Sequence, residues 1–242
     1  MRVDSLFFPM AFQVSPLVSV VLLGWVLAAS QTVLLRETLA ASQGNELAIA
    51  LVLGQWLVLT AAGSALAGWL PSRRSRAFFL AGGLALGPAL FLALLTARGL
   101  PRLFALGAGE LLTLDQHLLG SLFTLLPVCL VGGASFTLST RLPGVAPRSA
   151  YLAEAAGWLA GGVTATWLVE TWQPFAIAAA LSAGALLAAT LLVRRRWWTL
   201  AAVGLVIAAA LGHRGLAAIE RGSLSWRWPG QTIQTSAYTR HG

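Results

Sequence analysis

Long apolar runs separated by short polar segments constrain this chain more than any other feature. A helix that crosses a bilayer needs about 20 mostly apolar residues. Hydrophobic residues make up 57% of the chain and charged residues 10%, whereas a soluble domain carries roughly 25% charged residues. We therefore expect an all-α integral membrane protein, a bundle of about seven transmembrane helices. The seven runs lie at 16–35, 47–70, 77–97, 118–139, 150–170, 174–193 and 197–212.

The composition changes after the last run, and this change predicts two parts of the chain. From Leu224 onward, large apolar residues alternate with polar ones, and Pro229-Gly230 is a turn signal. The alternation favours a short β-hairpin, which is marginal in water unless it packs on something. We expect a helical bundle over 1–213 and an extramembrane tail over 214–242. Its aromatic residues are candidates for docking a partner: Trp226, Trp228 and Tyr238.

The arginines predict the orientation of the chain in its membrane. Nine arginines lie at Arg2 or after the second, fourth and sixth runs, and the opposite short loops hold three, Arg36, Arg98 and Arg102. Cytoplasmic loops carry the excess of basic residues. We therefore expect a multi-pass protein of a bacterial cytoplasmic (inner) membrane, with its N-terminus in the cytoplasm and its C-terminus outside.

Composition also excludes several classes of chemistry. One cysteine and three scattered histidines cannot build a zinc or iron–sulfur site of their own. The net charge of +8 comes from arginines at helix ends, so it does not indicate nucleic-acid binding. We expect no catalytic residue, no cofactor and no metal on this chain, with the lipid bilayer and a membrane protein complex as its surroundings.

A compact polar segment joins the first two runs. Charge held close to hydrocarbon is expensive, so it usually has a partner or a function. Arg36 can reach Glu46 across the turn, and a carboxylate or amide at the start of a helix caps its free N–H groups. The alternative is that the segment handles a ligand or a proton. The candidate residues are Gln31, Arg36, Glu37, Asn45 and Glu46.

Glu154 is the second candidate for polar chemistry. It lies about one turn into the fifth run, and an acidic residue inside a membrane run is a functional hypothesis by default. The alternative is a pair with Arg148 or Arg141 at the cytoplasmic interface. Both interpretations stay open at this point.

Small residues spaced four apart recur in several runs. Such spacing lets helix backbones approach closely, which drives association between membrane helices. We interpret the pairs as packing contacts and not as substrate contacts. The pairs are Gly83 with Gly87, Gly157 with Gly161, and Ser64 with Gly68.

The polar segment also resembles the first helical hairpin of membrane-embedded spermidine synthase-like proteins, in which a polytopic region precedes a soluble aminopropyltransferase-like domain. The matching residues are Gln31, Leu34-Leu35-Arg36-Glu37 and Gly44-Asn45-Glu46-Leu47-Ala48-Ile49. A Tyr-x-x-Glu-Ala-x-Gly pattern typical of a later helix in that family is matched by Tyr151, Glu154, Ala155 and Gly157. The stretch from Trp226 to Tyr238 is similar to the first strands of the family's soluble domain.

The resemblance implies a membrane region without its enzyme. The soluble domain of the family would begin near Gly230, and this chain ends at Gly242, so we expect no aminopropyl transfer by any residue here. The leading hypothesis is a non-catalytic polytopic subunit or anchor that docks a protein partner at its non-cytoplasmic face. One alternative is a small transporter for polyamine or another cation, similar to half of a major-facilitator bundle, with Glu154 and Glu46 as its carboxylates. Another is an accessory subunit of an electron-transfer or photosynthetic complex, with Trp25 or Trp56 against a pigment or quinone.

Overall fold

The computed structural model describes residues 11–41, 46–107, 110–192 and 213–227. All regular secondary structure in these ranges is helical, and they contain no strand. The helices are α1 (Ala11–Ala41), α2 (Glu46–Gly68), α3 (Ser75–Leu103, preceded by a 3-10 turn over Ser72–Arg74), α4 (Leu114–Ser139), α5 (Pro147–Thr171), α6 (Pro174–Thr190) and α7 (His213–Arg227).

Four stretches are long and apolar enough to cross a membrane. They are Pro16–Ala41, Glu46–Gly68, Ser72–Leu103 and Leu114–Ser139, and Pro174–Thr190 is a shorter apolar helix. The prediction of a helical protein of the membrane type is thus confirmed at this level, and the count of seven spans is not. The predicted span at 197–212 lies outside the described residues.

Local sequence explains where several helices begin. Thr113 precedes α4, and its backbone N–H donates to the Gln116 side chain at 3.0 Å, which forms a capping box. Helices α5 and α6 each begin at a proline, Pro147 and Pro174. Proline suits the first helical position because the N–H that it lacks would have no partner there.

Contacts between helices show that consecutive helices alternate in direction. The α2 residues Gln55 and Ser64 donate hydrogen bonds to the carbonyls of Leu118 and Gly133 on α4, at 2.9 and 3.0 Å, so residue numbers rise together and the two helices are parallel. Helices α1 and α5 are parallel by the same criterion. In contrast, α3 is antiparallel to α4, where the hydroxyl of Ser75 reaches the Arg141 carbonyl at 3.2 Å and Gly120 packs on Leu100.

Helices α1–α3 and α4–α6 form an inverted repeat. The five most extensive pairings are α1 with α5, α2 with α4, α3 with α4, α3 with α6, and α1 with α6. Exchanging α1, α2 and α3 for α4, α5 and α6 maps this set onto itself, and the exchanged helices run in opposite directions. The repeat was not predicted from the sequence, although a short pattern marks it. Ala29-Ser30-x-Thr32-x-x-x-Arg36 on α1 recurs as Ala134-Ser135-x-Thr137-x-x-x-Arg141 at the end of α4.

The two arginines of this pattern occupy equivalent positions. Arg36 donates to the carbonyl of Val169 near the end of α5. Arg141 donates to the carbonyls of Ala67 and Leu70 at the end of α2, at 3.0 and 3.1 Å. Each arginine therefore binds carbonyls at the C-terminal end of the parallel partner helix, where a cation also complements the helix dipole.

Small residues make the close helix contacts, as their spacing predicted. A Cβ on Gly157 would overlap the Val21 carbonyl of α1, and a Cβ on Gly161 would lie 2.6 Å from the Trp25 carbonyl. Gly83 and Gly87 lie against α6 in the same way. Ser64 bonds the Gly133 carbonyl, whereas Gly68 has no atom within 4 Å of where its Cβ would lie. The packing interpretation is therefore confirmed for these residues, with the exception of Gly68.

The predicted hairpin is wrong for the residues up to Arg227, which belong to α7. Helical spacing places Glu220, Ser223 and Leu224 on one face, and all three are buried. Two of these three buried residues are polar, unlike the apolar face by which an amphipathic helix usually packs. The rest of the predicted hairpin, 228–242 with Trp228 and Tyr238, lies outside the described residues.

Candidate functional site

Four charged side chains meet where α1, α3 and α7 converge. We call Glu37, Arg98, Glu220 and Arg227 the ion cluster. Arg98 Nε lies 2.9 Å from Glu37 Oε2, and the guanidinium of Arg98 also pairs with Glu220. Arg227 pairs with Glu37 from the other side. Two positive and two negative groups therefore neutralise one another inside the protein.

Further contacts fix the orientation of Arg98, whose side chain is 0% exposed. It donates to the Ser223 hydroxyl at 2.7 Å, and its guanidinium lies 5.0 Å from the centroid of the Phe175 ring. The backbone N–H of Phe175 donates to Glu220 at 3.4 Å, which connects α6 to the same cluster. A buried charge is tolerated when it is paired, and Arg98 is paired with both carboxylates of the cluster.

Sequence reasoning identified Glu37 but missed its partners. Arg98 was predicted to lie in an outer loop, and Glu220 was not considered. The available signal was the spacing of Glu220, Ser223 and Arg227 on one face of a helix, together with an arginine near the end of the third apolar run. Which carboxylate meets which guanidinium depends on how the helices pack.

The rest of the polar segment does not form one site. Arg36 bonds the Val169 carbonyl, and Glu46 is exposed at the start of α2. Ion pairs in the described ranges join Glu37 and Glu220 to Arg98 and Arg227, and none of these pairs joins Arg36 to Glu46. Gln31 is partly buried on α1, and Asn45 lies outside the described residues.

Glu154 lies in a cavity between α1, α2, α4 and α5. The cavity has a volume of about 220 Å³. We call it the Glu154 cavity, and it is lined by Leu27, Trp56, Thr60, Cys129, Gly132, Phe136, Glu154 and Trp158. Its lining residues on α1, α2 and α5 lie near the middle of those helices. Helices α1 and α2 belong to one repeat, and their equivalents α4 and α5 belong to the other.

No basic side chain neutralises Glu154 within the described part of the chain. Its hydrogen bond comes from the indole N–H of Trp158, at 3.4 Å. Arg141, one of the two predicted partners, instead bonds carbonyls of α2, and no ion pair joins Glu154 to Arg148 in the described ranges. The interfacial pair predicted as an alternative is therefore not formed.

The Glu154 cavity and the ion cluster are separate sites. The backbone of Glu154 packs on Gly24 of α1, and Gly24 precedes Glu37 by thirteen residues. Thirteen helical residues span about 20 Å. The two predicted transport carboxylates are also apart, because Glu46 is exposed and does not line the cavity.

The aromatic candidates have different surroundings. Trp25 donates its indole N–H to the Thr164 hydroxyl at 2.7 Å, whereas Trp56 is buried and lines the Glu154 cavity. Trp226 is 37% exposed on α7, and the Arg102 guanidinium lies 5.8 Å from its ring centroid. Trp226 is therefore the one proposed docking residue that the described ranges place on a surface.

The described residues contain no group of three or more His, Cys, Asp or Glu side chains that could hold a metal ion. In comparisons with known proteins, no family model, curated protein or solved structure matches the chain. The resemblance to spermidine synthase-like membrane regions therefore stays a prediction that rests on the residues quoted for it.

Proposed function

We propose that the chain is a non-catalytic polytopic subunit, or anchor, of a larger membrane complex, related to the membrane region of spermidine synthase-like proteins. The observation that carries this proposal is the ion cluster, which fastens α7 to α1 and α3. Four paired charges, three of them buried, hold the helix that leads directly into 228–242. This attachment supports a docking role for the end of the bundle that carries Trp226.

The same proposal assigns the chain seven spans in a bacterial inner membrane, with its N-terminus in the cytoplasm and its C-terminus outside. The alternating directions of α1–α6 support six of these crossings, and 197–212 would be the seventh. Ser75 bonds the Arg141 carbonyl, so the loops after α2 and α4 share one end of the bundle. Five arginines lie in or directly after those loops, which supports their cytoplasmic placement. They are Arg73, Arg74, Arg76, Arg141 and Arg148.

Purification in a mild detergent tests the proposal. We expect wild-type protein to elute with a stoichiometric partner chain, and replacement of Trp226 by alanine to reduce that partner's yield. Trp69→Ala is the matched control, because Trp69 is 84% exposed near the opposite end of α3. A chain that elutes alone under every mild condition contradicts the subunit role, as does equal partner loss in both variants.

A second candidate function is a small cation transporter or half-transporter. The inverted repeat favours it, because many secondary transporters consist of such repeats and bind substrate near the bilayer midplane at the repeat interface. The Glu154 cavity lies between helices of both repeats. Cation uptake into proteoliposomes should fall with Glu154→Gln and persist with Glu46→Gln. Equal uptake by the two variants and the wild type overturns this candidate.

A further inference from the structure

The Glu154 cavity has the composition of a site for a small organic cation. We propose that it binds a compact methylated ammonium ion, with Glu154 as the counter-charge and the neighbouring aromatic rings as the cage. The proposal concerns equilibrium binding. It deepens the transport candidate by naming a ligand class, and it does not depend on the subunit role.

The first argument is the charge of Glu154. It is the single carboxylate among the eight lining residues, and no guanidinium among the described residues pairs with it. An uncompensated carboxylate inside a helical bundle is expensive, because the low dielectric does not replace the water that it loses. A bound monovalent cation would supply the missing positive charge.

The second argument is the aromatic lining. Trp56, Phe136 and Trp158 line the same cavity as the carboxylate. A cation over the face of such rings is attracted by their quadrupoles, and quaternary ammonium ligands are the best-known users of aromatic cages. Three rings beside one carboxylate therefore favour an organic cation over an uncharged apolar ligand.

The third argument is the small number of hydrogen-bond acceptors. The lining side chains contribute oxygen atoms from Glu154 and Thr60 alone. Calcium takes about six to eight oxygen ligands, and a primary ammonium presents three N–H donors. A methylated ammonium has few or no donors to satisfy, so it suits this lining better than either.

The volume of the cavity favours a small ligand. A volume of about 220 Å³ is below the roughly 300–1,000 Å³ of sites for drug-sized molecules. The close contacts of Gly24 with the Glu154 backbone and of Gly133 with Thr60 hold the surrounding helices together. A compact ammonium ion fills less of this volume than a long, extended polyamine would.

Binding of tetramethylammonium to the purified full-length chain, measured by equilibrium dialysis with radiolabelled ligand, tests the proposal. We expect saturable one-site binding that Glu154→Gln weakens at least about tenfold, since the variant removes the one carboxylate among the described lining residues. Trp158→Leu should weaken binding between about twofold and thirtyfold, and Trp158→Phe, which keeps an aromatic ring, should restore part of it. Glu46→Gln should bind like the wild type. Unchanged elution and thermal unfolding will show that each variant is folded.

Three results overturn the proposal. They are the absence of saturable binding by folded wild-type protein, wild-type affinity in Glu154→Gln, and displacement of the label by spermidine at lower concentrations than by unlabelled tetramethylammonium. The last result assigns the cavity to a polyamine instead. Binding without uptake in proteoliposomes removes the transport candidate and leaves the ligand assignment standing.

Discussion

Glu37 and Glu154 are both carboxylates on long helices of the bundle, and they differ in what neutralises them. Two guanidiniums pair with Glu37, and its site is closed by Ser223 and the ring of Phe175. Glu154 has one indole N–H donor and faces a cavity. A carboxylate with a complete set of partners inside the protein has a structural role, whereas one with an incomplete set beside a cavity is available to a ligand.

The largest effect is expected from breaking the ion cluster. Replacement of Arg98 by leucine removes the guanidinium that pairs with both Glu37 and Glu220, and removing one member of a buried pair costs about 3–5 kcal/mol. We expect this loss in the free energy of unfolding, measured by denaturant titration in detergent. Arg102→Leu is the control, because Arg102 contacts the exposed ring of Trp226. Equal stability of the two variants would show that the cluster does not hold α7.

An intermediate effect is expected from separating the helices around the Glu154 cavity. A Cβ on Gly157 would overlap the backbone of α1, whereas one on Gly162 would meet no atom within 4 Å. Gly157→Ala should therefore lower the free energy of unfolding by about 1–3 kcal/mol, and Gly162→Ala should leave it unchanged or slightly raise it. Thermal unfolding of the two variants side by side measures the difference. A harmless Gly157→Ala would contradict the close approach of α1 and α5.

The inverted repeat predicts a matched pair of smaller effects. Arg36 and Arg141 bond carbonyls at the ends of α5 and α2, so replacing either by leucine removes charge-assisted hydrogen bonds worth about 1.5 kcal/mol. We expect similar losses of stability in both variants. A strong effect in one and none in the other would show that the two positions are not equivalent.

The smallest stability effect is expected at Glu154. Glutamine keeps the shape of the side chain and can still accept the indole N–H of Trp158. The change in unfolding free energy should stay within about 0.5 kcal/mol, because no ion pair is lost. A large loss of stability in Glu154→Gln would mean that Glu154 has a structural role like that of Glu37.

The class of protein and the positions of α1–α6 follow from the sequence because membrane helices satisfy their own backbone hydrogen bonds and need long apolar runs. The limits of α3 were less predictable. The third run was expected to end at 97, and the helix continues to Leu103 because Arg98 is paired inside the bundle. A charge that ends an apolar run in the sequence does not end a helix when its partner comes from another helix.

The contacts that define the two carboxylate sites could not be predicted for the same reason. The pairing of Glu37 with Arg98 joins residues sixty-one positions apart. Whether Glu154 forms an ion pair depends on where the side chain of Arg141 points. The end of α7, from Leu224 to Arg227, was mistaken for a strand because alternating large apolar and polar residues suggested a period of two. The buried polar residues of α7, Glu220 and Ser223, follow the helical period instead. Their spacing can be interpreted only once Arg98 is known to contact them.

The most direct test of the contrast between the two carboxylates is a paired measurement on Glu37→Gln and Glu154→Gln. Unfolding free energy and tetramethylammonium affinity are measured on both variants in the same detergent. We expect Glu37→Gln to lose about 3 kcal/mol of stability with unchanged affinity in its folded fraction, and Glu154→Gln to keep its stability and lose affinity at least about tenfold. The opposite pattern, or equal losses of both quantities in both variants, would contradict the division between a structural and a ligand-binding carboxylate.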